Sequence, residues 1–168
     1  ESWETVMTIE GDLADFSHLE TVFLGSLSRQ TKIATNVRKT VAAANGKPVL
    51  FFPSRFDHYS VQQGDGYAAH IGGVSGVSTP ANGYYWNCPA AGTIPHALIA
   101  AYGGNTLEAT KAFDRVIDPS VNRVALVDFD NKKVKTALDV ARELGEKLWA
   151  VRLDTADTLV DVSVLPQM

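Results

Sequence analysis

A histidine at the start of a short predicted helix is the residue best placed for chemistry in this sequence. His96 follows Gly92 and Pro95, and the apolar residues 97–102 continue the helix until Gly103 and Gly104 end it. The first turn of a helix carries unpaired amide donors and the positive end of the helix dipole, which attract phosphate and favour a neutral imidazole. We therefore predict a nucleophilic histidine beside an anion site, with a capping or packing role as the alternative.

Two aspartates end predicted strands further along the chain. Residues 123–128 and 147–154 are apolar runs that end in Asp128 and Asp154, and the amphipathic segment 131–144 between them predicts a helix. Strand, helix and parallel strand form a right-handed crossover unit. In an α/β barrel both aspartates would point into the mouth, where the chemistry takes place. The alternative is that each aspartate simply caps a loop or a helix.

The elements that must position these residues are predicted from periodicity and turn signals. Upstream, we expect a strand at 5–10 and helical residues at 17–45, with Ser17 and Glu20 as a capping box and either one helix or two bent near 25–28. Further predictions are strands at 48–52 and 76–79, a possible strand at 84–88, and helices at 62–73 and 106–117. Polar groups follow four strand ends, at 52–55, 78–79, 128 and 152–154, which favours a barrel mouth.

Composition limits the class of protein. The 168 residues are 45% hydrophobic and 20% charged, as in an ordinary globular domain, and the net charge of −4 argues against a nucleic-acid surface. No apolar run reaches the roughly 20 residues that a membrane-spanning helix needs. The single cysteine, Cys88, excludes an internal disulfide and a cysteine-rich zinc site. We expect a cytoplasmic protein without membrane or nucleic-acid partners.

Several segments, in this order and spacing, resemble the nicotinate phosphoribosyltransferases of the type II phosphoribosyltransferase group. They are 31–38 (TKIATNVR), 51–55 (FFPSR), 92–96 (GTIPH), 127–128 (VD) and 151–157 (VRLDTAD). The resemblance implies a partial chain: the end of an N-terminal α+β domain at 1–15 and part of a TIM-like α/β-barrel catalytic domain at 16–168. Glycine-rich loops for the 5′-phosphate would lie beyond Met168, so the chain alone is expected to be inactive.

The resemblance also implies an activity and assigns roles to residues. Family members join a pyridine acid or amide to the ribose of phosphoribosyl pyrophosphate and release pyrophosphate. Phe52 matches the aromatic residue that stacks on the pyridine ring, and Arg55 matches an arginine of the same pocket. The resemblance assigns Asp128, Asp154, Arg152, Thr79 and Asp157 to the ribose and pyridine side of the site. Asp157 follows a threonine and an alanine where the family commonly has serine and glycine.

His96 matches the histidine that takes a phosphoryl group from ATP in nicotinate and nicotinamide enzymes. Ser78 stands where the nicotinamide enzymes have an aspartate, which favours an acid substrate over an amide because two anions would repel. The resemblance further implies ATP as co-substrate and a homodimer with a shared site. It also implies that Mg²⁺ binds with the pyrophosphate, and no residue of this chain is assigned as a metal ligand. The alternatives are a quinolinate-type transferase without ATP coupling and a catalytically silent binding module.

Overall fold

The computed structural model describes residues 3–154 and divides the chain into two compact units, Glu1–Ala91 and Gly92–Met168. We call them the amino-terminal and carboxy-terminal units. The helices are α1 (Leu13–Phe16), α2 (Glu20–Ala43), α3 (Gln62–Gly72), α4 (Pro80–Gly83), α5 (His96–Ala101), α6 (Thr106–Val116) and α7 (Lys133–Leu144). The strands are β1 (Leu50–Phe51), β2 (Gly76–Val77), β3 (Arg123–Leu126) and β4 (Leu148–Arg152). Within residues 3–154, no helix has both the length and the apolar character needed to cross a bilayer.

The long helix of the amino-terminal unit confirms the helical pattern predicted at 17–45. It forms one helix, α2, and the chain leaves it through Asn45 and Gly46, whose φ angles of 48° and 82° end the helical path. The predicted capping box is wrong, because Ser17 lies in a 3₁₀ turn and caps no helix through its side chain. The cap that forms is on α1, where Asp12 accepts a hydrogen bond from the amide of Ala14 at 2.9 Å.

The strand predicted at 5–10 does not form. These residues are exposed and have no regular hydrogen-bonded structure. A β-branched sequence favours extended backbone, but a strand is stable only when a neighbouring strand pairs with it and a surface covers its apolar face. Among the residues that the structure describes, no such neighbour pairs with this segment, so its apolar side chains, such as Val6 at 84% exposure, remain in solvent.

A parallel pair of short strands, β1 and β2, confirms the two strands predicted at 48–52 and 76–79, although only β2 is buried and Leu50 of β1 is exposed. Leu50 pairs with Gly76 and Phe51 with Val77, and α3 connects the strands. Helices α2 and α3 pack closely because Gly72 has no side chain: a Cβ there would lie 2.6 Å from a methyl group of Val37. The possible strand at 84–88 is wrong, since Tyr84–Trp86 is a 3₁₀ turn.

The carboxy-terminal unit contains the predicted strand, helix and parallel strand. Strand β3 pairs in parallel with β4 from Arg123 to Leu126, and α7 connects the two strands. Apolar residues from β3, α7 and their neighbours fill the two sides of this pair; the fully buried ones include Leu126, Val127 and Val140. The carboxyl ends of β3 and β4 therefore lie side by side, as the crossover rule requires.

The mixed helix and strand class is confirmed, and each unit holds one two-stranded parallel sheet within residues 3–154. A closed barrel is not shown by these four strands. The predicted boundary between residues 15 and 16 remains a prediction, while the compact units themselves divide between Ala91 and Gly92.

Candidate functional site

His96 is the first residue of α5, and Pro95 before it has the extended conformation of an N-cap residue. Its imidazole contacts two carboxylates. Nε2 lies 3.2 Å from Oδ1 of Asp128, and Nδ1 lies 3.8 Å from Oδ2 of Asp154. The structure thus brings together the histidine and both strand-ending aspartates of the carboxy-terminal unit, as predicted from the sequence.

The charge around this histidine differs from the expectation. The first turn of α5 was expected to surround His96 with amide donors and to attract phosphate, whereas the ring lies between two carboxylates. Asp128 is 32 residues away in sequence, so the structure was needed to show which atoms of the ring and the carboxylate meet. The immediate surroundings of the ring are negative rather than positive, and an approaching phosphate needs cations to offset them.

Asp128 organises the cluster from a buried position just after β3. Its side chain is fully buried, and its Oδ2 accepts a hydrogen bond from the backbone amide of Asp154 at 2.6 Å. The two ends of the neighbouring strands are therefore joined by a side chain as well as by the strand ladder, in which Val127 donates to the carbonyl of Arg152 at 3.2 Å. A buried carboxylate is costly unless it accepts such bonds.

The bond from His96 to Asp128 selects one tautomer of the ring. With an ionised carboxylate at Asp128, which only accepts hydrogen bonds, this contact corresponds to the tautomer that carries its hydrogen on Nε2 of His96. In the neutral ring, Nδ1 then keeps its lone pair, and the 3.8 Å to Asp154 is longer than a hydrogen bond. In this tautomer Nδ1 is the ring nitrogen with a free lone pair.

Arg152 lies at the end of β4 and supplies the positive charge of the cluster. Its Nη1 donates to the hydroxyl of Thr93 at 2.7 Å, and its Nη2 is bonded to Oδ1 of Asp154. The guanidinium thus fixes the Asp154 carboxylate that faces the histidine. Sequence reasoning missed Thr93, although it lies within the same motif as His96, because nothing in its sequence neighbourhood indicated a bond to Arg152.

Phe129 forms an apolar wall beside the histidine. The ring centroids of His96 and Phe129 are 6.2 Å apart, and the planes are inclined by 37°. Gly104 lies in the turn after α5 with a φ of 85°, and a Cβ there would lie 3.1 Å from the Phe129 ring. A residue with a side chain at position 104 would be strained and would crowd this wall. The sequence signal was the Gly103-Gly104 pair, which was interpreted only as a helix stop.

The amino-terminal unit places the other predicted residues around the ends of β1 and β2. Phe52 is half-buried directly after β1, and Arg55 is exposed in the loop that follows. The Ser78 hydroxyl, just after β2, lies 2.8 Å from the hydroxyl of Ser54. Two neighbouring hydroxyl groups can donate and accept together, which suits a polar ligand. Ser54 was not selected from the sequence, where a serine in a polar loop gives no distinct signal.

Thr79 has a structural role that the sequence did not assign to it. Its hydroxyl caps α4 by accepting from the amide of Asn82 at 3.2 Å, and it lies 2.8 Å from Oε1 of Gln62. Asn82 is fully buried and donates in turn to the carbonyl of Gln62 at 2.8 Å. This network fixes the turn after β2, so Thr79 positions Ser78; direct contact of Thr79 with a substrate remains a prediction.

The predicted residues therefore form two clusters, each within one unit. His96, Asp128, Arg152 and Asp154 lie together in the carboxy-terminal unit, and Ser78 and Thr79 lie at one strand end of the amino-terminal unit. Their convergence on a single rim remains a prediction. Asp157 lies outside the described residues. Within residues 3–154, no group of three or more histidine, cysteine or acidic side chains is arranged to hold a metal ion.

Known proteins resemble the chain in sequence and in fold, although no family model matches it. It is 31% identical over 160 residues to nicotinate phosphoribosyltransferase of Bacillus subtilis, covering 92% of this chain and 32% of that protein. It is 30% identical over 156 residues to a nicotinate phosphoribosyltransferase of Mycobacterium tuberculosis, covering 90% of this chain and 35% of that protein. The resemblance indicated by the motifs is confirmed.

A solved crystal structure is also similar to the chain, both in fold and in sequence. The fold matches the crystal structure of nicotinate-nucleotide pyrophosphorylase from Pyrococcus furiosus with a TM-score of 0.82 and 43% sequence identity. The match covers 88% of this chain and 38% of that chain. The chain thus spans about a third of the length of the proteins that it resembles.

Proposed function

We propose that the protein containing this chain is a nicotinate phosphoribosyltransferase of pyridine nucleotide salvage. It joins the ring nitrogen of nicotinate to C1 of the ribose in phosphoribosyl pyrophosphate and releases pyrophosphate, forming nicotinate mononucleotide. The names of the curated relatives support this reaction. The observation that carries the proposal is the position of His96 between Asp128 and Asp154 at the ends of paired strands.

The carboxylates suit a reaction in which positive charge develops on the sugar. As the bond to pyrophosphate breaks, the ribose becomes cationic, and a nearby fixed anion lowers the energy of that state. Asp154 is the more accessible acid, with 27% of its side chain exposed, so it is the one proposed to face the ribose. Asp128 is buried and holds His96 and the Asp154 backbone, so its proposed role is to position both.

His96 is proposed to couple ATP hydrolysis to this reaction. Nδ1 attacks the terminal phosphorus of ATP, the bond to ADP breaks, and the phosphoryl group is held on the ring until water removes it. Asp128 stabilises the positive charge that the ring gains during the attack, because it accepts the Nε2 hydrogen at 3.2 Å. Arg152 offsets part of the negative charge of the two acids, which would otherwise repel the phosphate.

The amino-terminal residues are proposed to bind nicotinate. Phe52 would stack on the pyridine ring, and Arg55 with the Ser78 hydroxyl would bind its carboxylate. A TIM-like α/β barrel, of which residues 16–168 would form a part, belongs to the same proposal. A homodimer with a shared site and a cytoplasmic location are part of the same proposal.

Magnesium enters the proposal only with the substrate. The described residues lack a cluster able to hold a resident metal ion, and Mg²⁺ binds readily to phosphate oxygens while keeping several waters. We therefore assign Mg²⁺ to the pyrophosphate of the substrate. In that position the ion would supply positive charge that offsets the repulsion between the substrate phosphates and the two acids around His96.

The test compares His96→Ala with His18→Ala in the full-length protein, since His18 is an exposed histidine distant in sequence. Nicotinate mononucleotide formation is measured with and without ATP, and transfer of labelled phosphate from ATP to the protein is followed. The expected result is that ATP stimulates the wild type and His18→Ala, while His96→Ala loses both the stimulation and the label. A fully active His96→Ala variant, with no stimulation of the wild type, would exclude the coupling.

A quinolinate-type transferase without ATP coupling is the second candidate. It is kept because the similar structure from Pyrococcus furiosus has a different name from the sequence relatives, nicotinate-nucleotide pyrophosphorylase. Assays with quinolinate in place of nicotinate separate the two, because only this candidate turns over the diacid and does so without ATP. If calorimetric titration of nicotinate and phosphoribosyl pyrophosphate gives no heat, the protein is instead a catalytically silent relative.

A further inference from the structure

We propose that Arg29 is a positioning residue that holds the loop after β1 in the shape needed to bind the pyridine acid. This inference rests on the proposed function, because it concerns the loop that carries Arg55 and begins at Phe52. Arg29 lies in α2, far from this loop in sequence, and the two carboxylates that it binds belong to the amino-terminal unit.

A buried carboxylate anchors the arginine. Asp65 in α3 is 3% exposed, and Arg29 binds both of its oxygens: Nε lies 2.8 Å from Oδ1 and Nη2 lies 2.7 Å from Oδ2. This paired geometry fixes the plane of the guanidinium. Because a buried carboxylate without a partner is costly, the pair also ties α2 to α3. The guanidinium of Arg29 is thus held in a fixed position between α2 and α3.

The same guanidinium reaches the loop. Nη2 of Arg29 lies 3.1 Å from Oδ1 of Asp57, which stands two residues after Arg55. The loop residues 55–60 are exposed, and a short turn bond joins the amide of Phe56 to the carbonyl of Pro53 at 2.9 Å. An exposed loop with few buried contacts opens easily. Asp57 therefore links the exposed loop to the guanidinium of Arg29, which Asp65 holds in place.

The two carboxylates keep the arginine charged. They raise the pKa of Arg29 above its ordinary value, chiefly through the hydrogen bond to Asp65 and then through the bond to Asp57. A lysine at this position would keep the charge. Lysine lacks the fork that binds two carboxylates at fixed angles, so charge alone is not expected to replace Arg29.

The experiment separates the loop contact from the helix contact. Asp57→Asn removes the carboxylate charge through which the loop binds Arg29 and leaves the pair of Arg29 and Asp65 intact, whereas Asp65→Asn breaks that pair. Asp15→Asn, an exposed aspartate in α1, is the matched control. Steady-state kinetics, thermal melting and amide hydrogen exchange of residues 53–60 are measured on the full-length protein.

The expected result for Asp57→Asn is a KM for nicotinate raised about threefold to fivefold, the effect of losing a half-exposed ion pair. Its kcat and melting temperature should match those of Asp15→Asn, while the loop amides exchange faster. Asp65→Asn should lower the melting temperature as well. Arg29→Lys should raise KM as Asp57→Asn does, because the lysine cannot hold both acids.

Two results would overturn the inference. One is unchanged loop exchange and unchanged KM in Asp57→Asn. The other is a fall in melting temperature equal to that of Asp65→Asn, which would show a purely structural bond. Hydrogen exchange does not depend on catalysis. If the wild type converts neither nicotinate nor quinolinate, the proposed function fails, and faster exchange in Asp57→Asn alone would still show that Arg29 holds the loop.

Discussion

Replacing Asp128 with asparagine should damage both the stability of the carboxy-terminal unit and the action of His96. Asp128 accepts two hydrogen bonds, from Nε2 of His96 at 3.2 Å and from the amide of Asp154 at 2.6 Å. Asparagine has nearly the same shape but only one acceptor oxygen. One of the two donors must therefore face the NH₂ group, whichever way the amide is turned.

Each orientation has its own consequence. If the oxygen faces His96, the part-buried amide of Asp154 loses its acceptor, which costs up to about 1–3 kcal/mol. If the oxygen faces Asp154, the NH₂ group donates to Nε2 of His96, and the ring hydrogen moves to Nδ1. That nitrogen then has no lone pair for attack. If the activation free energy of the attack by His96 rises by the same amount, about 1–3 kcal/mol, the ATP-stimulated rate falls by roughly 5- to 150-fold.

The assay combines urea denaturation with ATP-stimulated formation of the mononucleotide in the full-length protein. Asp130→Asn is the control, since Asp130 lies two residues further on with 41% of its side chain exposed. This control should change the free energy of unfolding by less than about 0.5 kcal/mol. If Asp128→Asn had the same denaturation midpoint and the same rate as Asp130→Asn, the argument for a two-acceptor role of Asp128 would be refuted.

Two further predictions concern stability. A Cβ at Gly66 would lie 2.0 Å from the backbone oxygen of Asn82, so Gly66→Ala should destabilise the protein by about 1–3 kcal/mol or more. The control is Gly92→Ala, which should not destabilise it because the space around Gly92 is open. Thermal melting compares the two variants. The hydrogen bond from Arg123 lowers the pKa of Asp114, so this carboxylate stabilises the fold above the ordinary aspartate pKa and the effect is lost as pH falls through its lowered value. The stability difference between the wild type and Asp114→Asn should therefore be constant from pH 7 to about pH 5 and shrink below about pH 4, and denaturation curves with no such decrease would contradict this.

Local sequence patterns predicted most of the elements correctly. Helix α6 begins where Asn105 caps it, with its side chain accepting from Glu108, and Gly145 ends α7 with a φ of 55°. Such signals act over three or four residues, so they can be recognised without knowing the fold. The predicted strand at 5–10 was wrong for the opposite reason, since a strand depends on a partner that its own sequence does not specify.

The site shows the same division. The sequence determined that a histidine begins α5 and that an aspartate follows each strand of the crossover unit, because helix starts and strand ends are local features. Only the tertiary structure decided which atoms of His96 face the two carboxylates, and that Thr93, Ser54 and Arg29 have partners. These facts depend on contacts between residues distant in sequence, and such contacts form only when helices and strands pack.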